Sequence, residues 1–438
     1  MAKRKPKDQT FDTGRVLVGS CLERLKDLPD ASIDSIVTDP PYELGFMGKS
    51  WDASGIAYNV ELWRECLRVL KPGGHLLAFG GTRTYHRMAV AIEDAGFEIR
   101  DSIHWVYGSG FPKSLDVSKA IDKAAGVEGA VVGEKRFGKT STGQGAGWNA
   151  NAVAETGRQD VRAPATEAAK QWQGWGTALK PAHEPIVLAR KPLTGTVAQN
   201  VQEHGTGAIN IDASRVPGEV PSVPMGEWSR SGTTGATSQR SGEMSEPHTA
   251  GRWPANIIFD EAAGAELDEQ SGTSKSKQTK GKRAGKTAER SVAFGGQDDV
   301  TMGHDDEGGA SRFFYCPKPG KKERNAGLEK LKAKTAGEAT DREDGSAGLN
   351  SPRAGAGRTG GSKNFHPTVK PVELMRYLCR LITPPGGTVL DPFLGSGTTA
   401  VAAILEGFQW VGCEMTPDYL PIIKGRVQWA EKQPQKLL

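Results

Sequence analysis

The 438-residue chain is long enough to bury a sizeable core, yet only 37% of it is hydrophobic and 56 residues are glycine. That mixture suggests one packed domain interrupted by long, polar, loop-rich insertions. The formal net charge of +4 is too small to identify a polyanionic partner by itself, and the five cysteines (Cys21, Cys66, Cys316, Cys379, Cys413) contain no CxxC pair. Neither a metal site nor a disulfide framework is expected.

In chain order, the basic MAKRKPK start has no apolar stretch behind it, so it does not read as a signal peptide. With no apolar run of spanning length anywhere, a cytoplasmic protein without a membrane partner is expected. Residues 12–108 alternate strands and helices. Ser32–Thr38 is a β-rich run that ends at Asp39-Pro40-Pro41-Tyr42. Val60–Leu70 has helical apolar spacing and is stopped by Lys71-Pro72-Gly73-Gly74. His75–Phe79 reads as a buried strand, Thr82–Ala95 as a helix ended by Gly96, and Phe97–Tyr107 as another strand.

From about 110 the regularity fades. Residues 133–178, rich in Gly, Ala, Gln and Thr, are expected to form a long loop, and Glu184–Ala189 a strand. Over 193–360, short strand-like pieces (Ala208–Ile211, Ala255–Phe259, Arg312–Tyr315) interrupt polar low-complexity sequence. Segment 275–290 sets Lys275, Lys277, Lys280, Lys282, Arg283, Lys286 and Arg290 against Glu289, a composition expected to be disordered. Order resumes near 364: a helix Val372–Ile382, a strand Thr388–Leu390, a helix Thr398–Glu406, a strand Gln409–Cys413 ending in Glu414, and a last helix Asp418–Ala430.

The expected architecture is α/β: a doubly wound mixed sheet with a long irregular insertion. Its parts are one half-domain at 12–110, a loop-rich insertion at 111–180, a returning strand at 181–192, an irregular middle at 193–360, and a second half-domain at 364–430.

Two motifs carry chemistry. In Asp39-Pro40-Pro41-Tyr42 the prolines fix the backbone and leave the Pro40 carbonyl without competing local donors. A carboxylate and a carbonyl then converge on one amino group, drawing its lone pair out of conjugation. Tyr42 offers a flat face for an extruded base. The plainer reading is a proline-rich turn with Tyr42 as packing. The second motif is Asp391-Pro392-Phe393-Leu394-Gly395-Ser396-Gly397-Thr398-Thr399, at a strand-to-helix turn where glycines admit a ligand close to backbone beside a helix N-terminus. The dinucleotide pattern GxGxxG is absent, which argues against NAD. Glu414, at the end of the next strand, stands where α/β enzymes hold ribose hydroxyls; otherwise it is a surface residue. If the strands before Asp39 and Asp391 are neighbours, both motifs open into one crevice.

Together these residues resemble the amino-methyltransferases of DNA, the N6-adenine and N4-cytosine enzymes. The family's catalytic motif (Asp, Asn or Ser, then Pro-Pro and an aromatic residue) matches residues 39–42, and its Phe-x-Gly-x-Gly motif matches Phe393–Gly397. A third element matches His366-Pro367-Thr368-Val369-Lys370-Pro371. The resemblance covers about 12–110, a strand near 181–192, and 364–430. It implies S-adenosylmethionine as cofactor, a circularly permuted methyltransferase fold of Rossmann type, and a target-recognition role for the middle, with double-stranded DNA as partner.

The candidate catalytic residues are thus Asp39, Pro40, Pro41 and Tyr42. Those for the cofactor are Asp391, Phe393, Gly395, Ser396, Gly397, Thr398 and Glu414, with Thr368 and Lys370 added by the resemblance alone. The resemblance also implies direct methyl transfer without a covalent enzyme intermediate, and no Pro-Cys context supports C5-cytosine chemistry. Asp at the first motif position favours N6-adenine. N4-cytosine is the nearest alternative, ahead of an RNA or protein N-methyltransferase and a non-catalytic DNA-binding regulator. Lys318, Lys321, Lys322 and Arg324 are candidates for phosphate contact, and Trp172, Trp175 and Trp253 for base stacking, against surface and core roles respectively. A homodimer is compatible with the sequence.

Overall fold

The computed structural model describes residues 7–44, 54–108, 110, 114–136, 158–217, 224–228, 238–244, 251–275, 279–281, 300–302, 307–317, 323–334, 338 and 362–434. They fall into two units, one made of Met1–Ile209 with Pro319–Leu438 and the other of Asn210–Lys318.

The central sheet of the first unit contains β1 (Gln9–Thr10), β2 (Gly14–Val18), β3 (Ile33–Thr38), β4 (Leu70–Phe79), β5 (Glu98–Val106), β6 (His183–Arg190), β7 (Thr388–Asp391) and β8 (Gln409–Glu414). In space they run β1-β2-β8-β7-β3-β4-β6-β5. From β2 to β4 the neighbours are parallel, whereas β6 is antiparallel to both β4 and β5. The expected mixed, doubly wound sheet is present. All six residues of β3 are buried, as a strand covered by helices on both faces requires.

Among the helices of the first unit are α1 (Val60–Val69), α2 (Tyr85–Asp94), α3 (Val372–Ile382), α4 (Thr398–Leu405) and α5 (Leu420–Ala430). The Asn59 side chain caps α1 by accepting from the Glu61 amide at 2.9 Å. Leu62, Trp63, Cys66 and Val69 line its buried face and join Ile36, Leu76, Ile92 and Phe97 in one core. On α3, Arg376 and Arg380 each place Nε 2.7 Å from the Glu406 carboxylate, which is fully buried at the end of α4. The pair offsets the desolvation of that carboxylate and clamps the two helices. Among the described residues no helix is long and apolar enough to cross a membrane.

The structure departs from the sequence expectations in several places. Lys71-Pro72-Gly73-Gly74 does not separate helix from strand, since β4 already begins at Leu70. Ile33 faces Leu70 but Ser35 faces His75, so the Pro-Gly-Gly residues form a bulge with Gly73 at φ 77°. Within 133–178, Val131–Arg136 and Arg158–Arg162 pair as antiparallel strands, followed by a helix at Glu167–Gln171. In the second unit, Ile257–Phe259 is a strand, but Arg312–Phe313 belongs to a 3-10 turn in which the Arg312 guanidinium lies 4.3 Å from the centroid of the Phe313 ring. Residues 276–278 and 282–290 of the basic run lie outside the described residues.

Candidate active site

Two strand ends set the site. Parallel β7 and β3 are neighbours, with Val389 opposite Ser35 and Leu390 opposite Ile36. The chain leaves β7 through α4 toward β8, and leaves β3 through α1 toward β4, so the winding reverses between them. A crevice must open there, beyond the carboxyl ends. Thr38 Oγ1 ties the ends together by donating to Asp391 Oδ1 at 2.6 Å. Asp391 also accepts from Thr399 Oγ1 at 2.6 Å and from the Phe393 amide at 3.0 Å. Burial lifts its carboxyl to about 6, against the pull of these donors.

The crevice is a cavity of about 720 Å³. Asp39, Pro40, Pro41, Tyr42, Thr368, Lys370, Asp391, Phe393, Gly395, Ser396, Thr398 and Glu414 all line it. Gly397 is the candidate that does not. It opens α4 at φ 77°, and a Cβ there would meet Ile423 at 3.4 Å.

At the glycine turn, Gly395 has φ 54°, and a Cβ on it would fall 2.8 Å from His366 Nε2. Only glycine lets the backbone form this wall. His366 is fixed by Nδ1, 3.0 Å from the Thr368 carbonyl, and by the Tyr419 ring 4.6 Å away. Burial holds the imidazole down to about 4, so it is neutral at physiological pH. Behind the turn, buried Arg426 donates from Nη1 to the Ser396 carbonyl at 2.8 Å, Ser396 Oγ at 3.0 Å and Thr398 Oγ1 at 2.9 Å.

Glu414 accepts from the Gly395 amide at 2.8 Å and from the Thr416 amide at 2.6 Å. Burial nevertheless pushes its carboxyl from 4.5 up to about 7. The folded state therefore binds more protons than the unfolded chain between those values, and stability falls as pH rises through that window. Glu414→Gln removes the titration. The stability of the wild type relative to this variant is expected to drop by about 3 kcal/mol from pH 4.5 to 7, as urea denaturation at several pH values would measure. A constant difference would refute it.

The opposite wall is ionic. Lys370 Nζ lies 2.7 Å from Asp39 Oδ2, 3.3 Å from Glu184 Oε2 and 3.1 Å from the Tyr42 hydroxyl. Tyr42 in turn donates to Glu184 Oε2 at 2.7 Å. These side chains are nearly closed off, Lys370 being 9% and Asp39 18% exposed. Burial raises the Asp39 carboxyl above its ordinary value, Lys370 pulls it back, and Glu184 raises it again. Burial works to lower the Lys370 ammonium, but the two carboxylates outweigh it and hold it above its usual range. Asp39 Oδ1 is buried without a hydrogen-bond partner among the described residues. Cys21 and Cys413 also line the cavity, but burial keeps both thiols protonated, Cys21 at about 11.

Sequence reasoning had no signal for Glu184 beyond a strand beginning there, nor for Arg426, whose charge is hidden on α5. Arg324 lines the cavity and donates to the His366 carbonyl at 3.0 Å, which ties it to the cavity wall. Lys318, Lys321 and Lys322 lie outside the described residues. Trp172, Trp175 and Trp253 are 42%, 60% and 65% exposed, so core packing is not their role.

The model of the N6/N4 DNA methylase family matches residues 33–425. Among curated proteins, the chain is similar to the type II methyltransferase M.ScaI of Streptomyces caespitosus, 40% identical over 80 residues (18% of this chain, 26% of the relative). It is similar also to M.HinfI of Haemophilus influenzae, 31% identical over 109 residues (20% of this chain, 30% of the relative). The matches thus span about a quarter to a third of those relatives' length. Among solved structures, the PvuII DNA methyltransferase (cytosine-N4-specific) aligns over 95% of this chain and 87% of its own, with 14% identity and a TM-score of 0.42. Matched by the family model from β3 into α5, the chain belongs to the N6/N4 DNA methylase family.

Proposed function

We propose that the chain is a site-specific DNA methyltransferase that transfers a methyl group from S-adenosylmethionine to N6 of adenine in double-stranded DNA. The observation that carries this is Asp39 Oδ1, a buried acceptor with no partner among the described residues, in the same cavity as the glycine turn. An orphaned buried acceptor is costly unless a ligand donor satisfies it. The donor that fits is an exocyclic amine. The other end of the cavity fits the cofactor, because Gly395 leaves a side-chain-free wall and Glu414 offers a carboxylate at the end of β8.

S-adenosylmethionine, when bound, supplies an electrophilic methyl group on a sulfonium centre. The protein's part is to prepare the amine. Asp39 accepts one amine hydrogen and the Pro40 carbonyl the other, so the nitrogen lone pair is freed from the ring. Tyr42 supplies a stacking face for the extruded base, and its hydroxyl is pinned by Glu184 and Lys370. Burial raises the Asp39 carboxyl's proton affinity and the Lys370 ammonium pulls it back, so Asp39 suits an amine that sheds its proton after methylation. Asp rather than Ser at position 39 favours adenine. We assign target recognition to the second unit, where Arg215 lies 5.4 Å from the exposed Trp253 ring and Arg252 lies 5.1 Å from that of Phe313, a pairing suited to phosphate and base contact.

The test is to incubate duplex DNA with the protein and S-adenosylmethionine, digest it to nucleosides and identify the product. N6-methyldeoxyadenosine is expected. N4-methyldeoxycytidine would move the reading to cytosine, and an absence of any methylated nucleoside would overturn it.

A further inference from the structure

The cavity holds an unequal set of charges. Its lining includes the carboxylates of Asp39, Glu184, Asp391 and Glu414, and the Lys and Arg side chains among its described residues are Lys370 and Arg324. Lys370 is already engaged by Asp39 and Glu184. A ligand with an amino-acid end brings a carboxylate of its own into this acidic cavity, where it needs a cation.

Arg324 fits that need. It stands in the short 3-10 turn Glu323–Asn325, and its backbone is locked because its carbonyl accepts from Asn364 Nδ2 at 2.9 Å. Asn325 Oδ1 also accepts from the Asn364 amide at 3.1 Å. Nη2 donates to the His366 carbonyl at 3.0 Å, which fixes the guanidinium beside the residue that abuts Gly395. Nη2 also reaches the Asn364 carbonyl at 3.5 Å, while Nε and Nη1 have no acceptor, and the charge no carboxylate partner, among the described residues. A planar fork held at one corner is pre-organised for a carboxylate.

We propose that Arg324 binds the carboxylate at the amino-acid end of the cofactor, an assignment that rests on the S-adenosylmethionine reading above. The same guanidinium facing a DNA phosphate instead is the competing outcome. The full-length protein would be titrated calorimetrically with S-adenosylhomocysteine and with 5′-methylthioadenosine, which shares the nucleoside but lacks the amino-acid end. Arg324→Gln is expected to raise the Kd for S-adenosylhomocysteine roughly 10- to 100-fold and to leave that for 5′-methylthioadenosine unchanged. Arg324→Lys should restore part of the loss. Equal weakening of both ligands would mean that Arg324 only supports the wall, and would overturn the assignment. So would unchanged S-adenosylhomocysteine affinity, with or without a loss of duplex DNA binding. If the wild-type protein bound neither nucleoside, the cofactor reading itself would fall and take this one with it.

Discussion

Asp39→Ala is expected to lower the rate of methyl transfer by about 100- to 1000-fold while leaving S-adenosylhomocysteine affinity unchanged. The substitution removes the carboxylate that carries the orphaned Oδ1 and leaves the glycine turn untouched, since Asp39 shares no hydrogen bond with residues 391–399. Single-turnover kinetics on duplex DNA, with cofactor affinity measured in parallel, separates the two effects. Near-normal turnover with normal cofactor binding would remove Asp39 from the chemistry. Asp39→Asn is the sharper variant, because an amide keeps the shape but loses the charge that Lys370 balances at 2.7 Å.

Lys370→Met is expected to damage both stability and activity. It strips the cation from between Asp39 and Glu184, two nearly closed-off carboxylates. Breaking a buried ionic cluster by removing one partner costs about 3–5 kcal/mol. Without the ammonium, Asp39 loses the charge that holds its already raised carboxyl down, and Glu184 repels the anion further. Asp39 would then hold its proton to higher pH and cease to accept from the amine. Activity at neutral pH should fall by at least about tenfold and recover in part as the pH is raised and Asp39 ionises. A pH–rate profile parallel to that of the wild type would show that Lys370 serves only packing. Thermal denaturation gives the accompanying loss of stability.

The placement of most candidate residues around one cavity was legible in the sequence. The local signals at β3 and β7 are strong because each short β-rich run ends in a proline-bearing turn, and that at β8 because a short β-rich run follows Gly407. The residues placed after them (Asp39, Gly395, Glu414) inherit their positions from the strand ends. The adjacency of β3 and β7 stood only as the condition for the two motifs to share a crevice, and the sheet meets it. Glu184 was not legible, because its role exists only when β6 returns antiparallel beside β4 and carries it to Lys370. A single carboxylate at a strand start has no sequence mark of such a partner. Arg426 was hidden for a related reason, since its buried charge is tolerated only through the Ser396 and Thr398 oxygens far away in sequence. The irregular middle failed differently. Weak strand propensity at Arg312–Tyr315 lost to local turn geometry, in which the Asp268 carboxylate takes the Ser311 amide and hydroxyl at 2.7 and 2.6 Å.

The strand order carries a consequence for how the protein is made. β7 and β8 sit between β2 and β3, yet they leave the ribosome long after both. Until then β2 and β3 have no partners for the edges on which they later receive β8 and β7, and open edges of this kind invite mispairing. Closure must wait for long-range pairing, the slowest sort of contact to form. Nascent chains halted before residue 388 should therefore depend on chaperone protection more than a protein of this size with its central strands made first.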